Sequence, residues 1–97
     1  MATYITLINL TEQGVKTIKD LPARLAAGRQ AMEANGGKLL QYYLTLGAQD
    51  AVVITELPDD ETAASVALQQ AGLGNLRTIT MRAFTEGEIP GILSKMP

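Results

Sequence analysis

The sequence predicts an α+β domain with the element order β-α-β-β-α-β. Three observations carry that expectation. Four segments alternate with period two, helix-patterned stretches separate the first from the second and the third from the fourth, and only the turn Gly47-Ala-Gln-Asp50 parts the second from the third. A length of 97 residues supplies one hydrophobic core, so residues 1–97 are read as a single domain.

The first strand is Thr3–Leu10, TYITLINL, with β-branched and aromatic residues on both faces, as in a strand covered on two sides. Thr11 is placed to cap a short helical piece through Val15 and Ile18, and Pro22 forces a restart. The main first helix then carries Leu21, Leu25, Gly28 and Met32 on one stripe, with Asp20 as its cap and Gly36 as its left-handed stop. Lys38–Leu46 and Ala51–Leu57 form an antiparallel hairpin, with Leu40, Tyr42 and Leu44 on one face of its first strand. Pro58-Asp-Asp-Glu61 starts the second helix, where the helix dipole favours acids, and the expected stripe is Ala64, Ala67, Leu68 and Ala71 before Gly72 stops it. Leu76–Phe84 is the fourth strand. Thr85 and Glu88 then have capping-box spacing for a short terminal helix, kinked or restarted at Pro90.

Right-handed crossovers fold this order into a ferredoxin-like, four-stranded antiparallel sheet of order 4-1-3-2 with both helices on one face. We expect Ile5, Leu7, Leu40, Tyr42, Leu44, Val52, Ile54, Ile79 and Met81 under the helices. The bare face then collects Tyr4, Thr6, Ile8, Gln41, Tyr43, Thr45, Val53, Thr55, Thr78, Thr80 and Arg82. Such a mixed face suits a homodimer or higher oligomer.

Composition removes whole classes of function. A formal charge of −2 with eight scattered basic residues offers no stripe for nucleic-acid phosphates, and four aromatic side chains offer little for base stacking. The absence of Cys and His takes away thiolate nucleophiles, imidazole bases and nearly all zinc sites, so neither metal nor cofactor is expected. Met1–Leu10 lacks the basic start of a signal peptide, and no apolar run approaches the roughly 20 residues of a membrane span. A cytoplasmic protein is expected, without nucleic-acid or membrane partners.

Three stretches, MATYITLINLTEQG, LGAQDAVVITELPDDETA and LGNLRTITMRAFTEGE, resemble the GYD-domain proteins. Gly47 and Asp50 match two of the residues that name the family, while Gln49 stands where its tyrosine would be. The resemblance implies a ferredoxin-like chain of the dimeric α+β barrel type and no particular activity.

Candidate ligand-binding residues are Asn9, Tyr43, Asp50 and Arg82. Asn9 is expected on the helix-facing side at the end of the first strand, where a buried amide needs a partner or a ligand. Asp50 is either an acid at a pocket mouth or a turn residue accepting backbone N–H groups. Arg82, with Thr78 and Thr80 on the same face, suits a carboxylate or phosphate, or an ion pair with Glu56 or with an acid of a partner subunit, and Tyr43 fills the core or an interface. Asp59, Asp60 and Glu61 are explained by one helix start without a metal. These features favour an oligomeric small-molecule-binding or sensory module. A cofactor-free enzyme of the α+β barrel type, an isomerase or oxygenase, and a structural assembly protein are the alternatives.

Overall fold

In the computed structural model, which describes residues 1–97, β1 (Ala2–Leu10) is a central strand. It pairs antiparallel with β3 (Ala51–Leu57) on one side and with β4 (Leu76–Ala83) on the other, and β2 (Lys38–Leu44) flanks β3. The order β2-β3-β1-β4 is the one expected from the sequence. Thr11 caps the short α1 (Glu12–Lys16), accepting from Gly14 N at 3.1 Å while its hydroxyl donates to Gly74 O at 2.6 Å. A 3-10 turn at Ile18–Asp20 leads into α2 (Leu21–Ala34), where Pro22 sits in the first turn and restarts the helix. The Asp20 side chain makes no capping bond, contrary to expectation. Gly36, with φ +81°, supplies the left-handed stop.

α3 (Asp60–Gly72) begins at Asp59, whose carboxylate accepts from Thr62 N at 2.8 Å. Its inward stripe is Ala63, Val66, Ala67 and Gln70; of the expected set only Ala67 faces inward, and Ala64, Leu68 and Ala71 are exposed. The helix is apolar on several sides, so small residues alone did not mark its buried face. After β4 a 3-10 turn at Glu86–Glu88 precedes α4 (Ile89–Leu93), with Pro90 in its first turn.

The chief correction concerns the phase of the sheet. One core cluster joins Tyr4, Met32, Leu57, Ala63 and Val66, which places the Tyr4 side of β1 and the Leu57 side of β3 beneath α2 and α3. A second joins Ile8, Ala51 and Val53, flanked by Leu39, Tyr42 and Leu76. Rows across the sheet follow from register. Tyr4 lies opposite Thr55 and Arg82, Thr6 opposite Val53 and Thr80, and Ile8 opposite Ala51 and Thr78; all of these face the helices. Ile5 with Ile54 and Met81, and Leu7 with Val52 and Ile79, form the uncovered face, the reverse of the expectation. Of the residues expected under the helices in the hairpin, Tyr42 is there. A β-bulge between Leu39 and Gln41 breaks the alternation of β2, so Leu39 joins Tyr42 inside.

Candidate functional site

Between the sheet and helices α2 and α3 lies a cavity of about 170 Å³. Its walls are largely aliphatic, from Leu21, Leu25 and Met32 of α2 to Val53, Leu57 and Val66. Into this setting β1, β3 and β4 turn a row of hydroxyls, Thr6, Thr55, Thr78 and Thr80, because residues opposite one another in register share a face. Thr6 and Thr80 hydrogen-bond to each other at 3.1 Å, whereas no side-chain hydrogen bond within the chain engages Thr55, although the residue is 3% exposed. A buried hydroxyl with room beside it is a group that can orient a bound molecule.

The polar end of the cavity is built around Tyr4. Its phenol donates to Asp60 Oδ1 at 2.5 Å, joining β1 to the first turn of α3. Tyr4, Thr80, Ala63 and Ala67 also line an adjoining groove that ends at Asp60 and Arg82. The Arg82 guanidinium lies 5.8 Å from the Tyr4 ring centre and 4.4 Å from that of Phe84, donates to the carbonyls of Thr3 and Ala83, and approaches Glu88 at 3.9 Å. Burial, and then donation to the Asp60 carboxylate, push the Tyr4 phenol up to about 12. The arrangement presents a neutral phenol, a carboxylate and a guanidinium at one end of an apolar chamber.

That raised phenol has a consequence for stability. The folded chain holds the Tyr4 proton more tightly than the unfolded chain, where the group has its ordinary value of 10. Its contribution is therefore fully present below about pH 10 and is lost as pH rises through about 12. Thermal melts across that interval should show a falling midpoint in the parent and a flatter profile in Tyr4→Phe. An equal slope in both would assign the loss to other groups.

The candidate residues read from the sequence fall in separate places. Asn9 is in the outward-facing row opposite Arg77, not under the helices as expected. Its amide end faces the β2–β3 loop, where the two neighbouring acceptors, Ala48 O and Ile8 O, require the amide nitrogen to point toward them, at 3.0 and 3.3 Å in that orientation. Asp50 accepts from Leu10 N at 2.8 Å through Oδ2, and its own N–H donates to Ile8 O at 2.8 Å. These bonds clasp the loop to the end of β1, the turn role weighed for Asp50. Tyr43 is on the uncovered face, 53% exposed, with its phenol donating to Gln41 Oε1 at 3.2 Å. Only Arg82 borders the cavity's polar end, and it pairs with Glu88 rather than Glu56. Gln49, in the β2–β3 loop, keeps its side-chain oxygen buried without a donor.

Sequence reasoning missed Tyr4 and Asp60, and of the threonine row it singled out only Thr78 and Thr80, as neighbours of Arg82. Tyr4 and Asp60 are 56 residues apart, and Asp60 read as one of three helix-start acids; its neighbour Asp59 fills the capping role. The available signal was Thr55 set between Val53 and Leu57, a hydroxyl within an otherwise apolar alternation that pairs with Tyr4.

Comparison with known proteins adds context to this geometry. The family model described as the GYD domain matches residues 4–93. A Thermus thermophilus protein named "Glutamine synthetase and cystathionine beta-lyase binding protein" is 31% identical over 90 residues, covering 92% of this chain and 95% of its own. A crystal structure of a protein from Thermus thermophilus superposes with a TM-score of 0.55 at 25% identity, covering 88% of this chain and 95% of that one. The 5-chloro-2-hydroxyhydroquinone dehydrochlorinase of Burkholderia phenoliruptrix AC1100, solved with 2,5-dihydroxybenzoquinone, superposes with a TM-score of 0.61 at 18% identity, covering 91% and 98%. At that identity the likeness is one of fold.

Proposed function

The chain belongs to the GYD-domain family, and from that premise we propose that it is a self-associating, cytoplasmic module that binds a small organic molecule between its sheet and helices. The observation that carries the reading is the cavity: aliphatic walls, a row of threonine hydroxyls and the Tyr4–Asp60 pair at one end. Walls of this kind favour a ring-sized, largely apolar ligand, and the hydroxyls and the phenol select one that carries hydroxyl or carbonyl groups. Self-association is supported by the uncovered face, where Ile5, Leu7, Val52, Ile54, Ile79 and Met81 form an apolar centre bordered by Lys38, Glu56 and Arg77. No helix is long and apolar enough to cross a membrane.

The test is a thermal-shift and calorimetric survey of single-ring phenols, hydroxybenzoates and quinones. A ligand found this way should bind Tyr4→Phe about tenfold more weakly, the worth of one well-placed hydrogen bond in a dry site. Absence of binding across the survey, or equal binding by Tyr4→Phe and Thr55→Val, would remove the cavity from the function.

The Thermus relative's name favours a second reading, in which this chain binds an enzyme. Size-exclusion analysis with the host's glutamine synthetase should then give a joint peak. Independent elution would confine that property to the relative.

A further inference from the structure

We propose that the segment from Phe84 to Pro97 is an arm that lies across a second copy of this chain. The proposal rests on the self-association put forward above and adds a second contact to it.

The arm is ordered from within yet uncovered. Thr85 donates to Glu88 Oε1 from its N–H at 3.1 Å, Arg82 ties the base through Glu88 and the Phe84 ring, and Ser94, Lys95 and Met96 continue the turns of α4 by donating to Pro90, Ile92 and Leu93 carbonyls. Its apolar side chains Phe84, Ile89, Ile92, Leu93 and Met96 are nonetheless all exposed, and the principal neighbour of α4 is the 3-10 turn just before it. Five large apolar groups on so short a piece exceed what a solvated tail carries.

Area identifies the occupant. The chain exposes 6488 Å². A compact monomer of 10.3 kDa should expose about 5,350 Å². The surplus of roughly 1,100 Å² is at least what one partner contributes to a standard interface, about 800 Å². Shape agrees: the radius of gyration is 14.6 Å, against about 12.5 Å for a compact chain of this length. Two apolar surfaces lack a cover, the arm and the outer sheet face, and a two-fold pairing of identical chains covers both in each partner at once.

The experiment compares the full chain with a form ending at Glu88, which keeps the Arg82–Glu88 anchor, and with the full-length Ile92→Ser/Leu93→Ser variant. Sedimentation equilibrium should show the dimer dissociation constant raised at least about tenfold in both, with the monomer's circular dichroism retained. Hydrogen exchange at the Lys95 and Met96 amides should be slow in the dimer and fast in an Ile79→Glu monomer. Unchanged dissociation constants in both arm variants, with Ile79→Glu still dissociating, would overturn the arm and leave the sheet-face contact standing. Protection kept in the monomer would place the arm on its own chain and overturn the proposal. A monomeric parent at micromolar concentration would overturn both readings.

Discussion

Gly37→Ala should destabilise the chain by more than about 3 kcal/mol, a large share of the roughly 5–15 kcal/mol that holds a small domain folded. Gly37 is buried where α2 hands over to β2, and its N–H donates to Met32 O at 2.9 Å. A Cβ at this position would run into the Glu56 carbonyl and crowd Leu57 Cδ2 at 2.7 Å. The carbonyl is backbone in a paired strand, so relief requires moving β3 and the core residue Leu57 with it. Gly28→Ala is the control. A Cβ there meets nothing within 4 Å in the middle of α2, so the change should raise stability by about 0.5–1 kcal/mol. Urea unfolding of the two variants should move the midpoint in opposite directions; a Gly37→Ala midpoint equal to the parent's would mean that β3 yields freely at Glu56.

Such close approaches were not legible in the sequence, whereas the element order was. Period-two patterning located all four strands, Thr11 and Pro22 marked the interrupted entry to α2, and Leu21, Leu25, Gly28 and Met32 gave its inward stripe. Strand order followed from chirality and the short β2–β3 turn. What failed was the choice of face. Ile5, Ile54, Ile79 and Met81 are more apolar than the Tyr, Thr and Arg neighbours they alternate with, while Leu7 beside Ile8 and Val52 beside Val53 do not discriminate, and the rule that the apolar face turns inward places the whole set under the helices. Here the helices instead cover the row with Tyr4, Thr6, Thr55, Thr78 and Thr80, where a cavity separates them from the sheet. The rule reverses here because the inner face lines a polar-edged chamber, and the more apolar residues are left on the uncovered face. The site went unread for the same reason: Asn9 was placed on the wrong face of the sheet, and the Tyr4–Asp60 contact depends on tertiary packing across 56 residues.

The inversion makes neighbouring residues of β4 give opposite results. Ile79 is 57% exposed on the uncovered face, opposite Leu7, and Met81 beside it is 42% exposed. A dimer through that face would bury roughly 100 Å² more of each Ile79, or about 2.5 kcal/mol per chain, and two-fold symmetry doubles the term. Ile79→Glu removes it and sets a carboxylate from each chain in a desolvated contact, so the dissociation constant should rise at least about a thousandfold. The monomer has no need of Ile79 beyond its strand, and its melting transition should persist. Thr80→Glu lies one residue on, yet faces the helices, hydrogen-bonded to Thr6 at 3.1 Å and bordering both cavity and groove. It should disturb ligand binding and the Tyr4 end of the site while leaving association nearly intact. Light scattering at micromolar concentration separates the cases: a dimeric parent, a monomeric Ile79→Glu and a dimeric Thr80→Glu are expected. Dissociation by Thr80→Glu with Ile79→Glu still dimeric would restore the opposite face to the interface and refute the proposed contact.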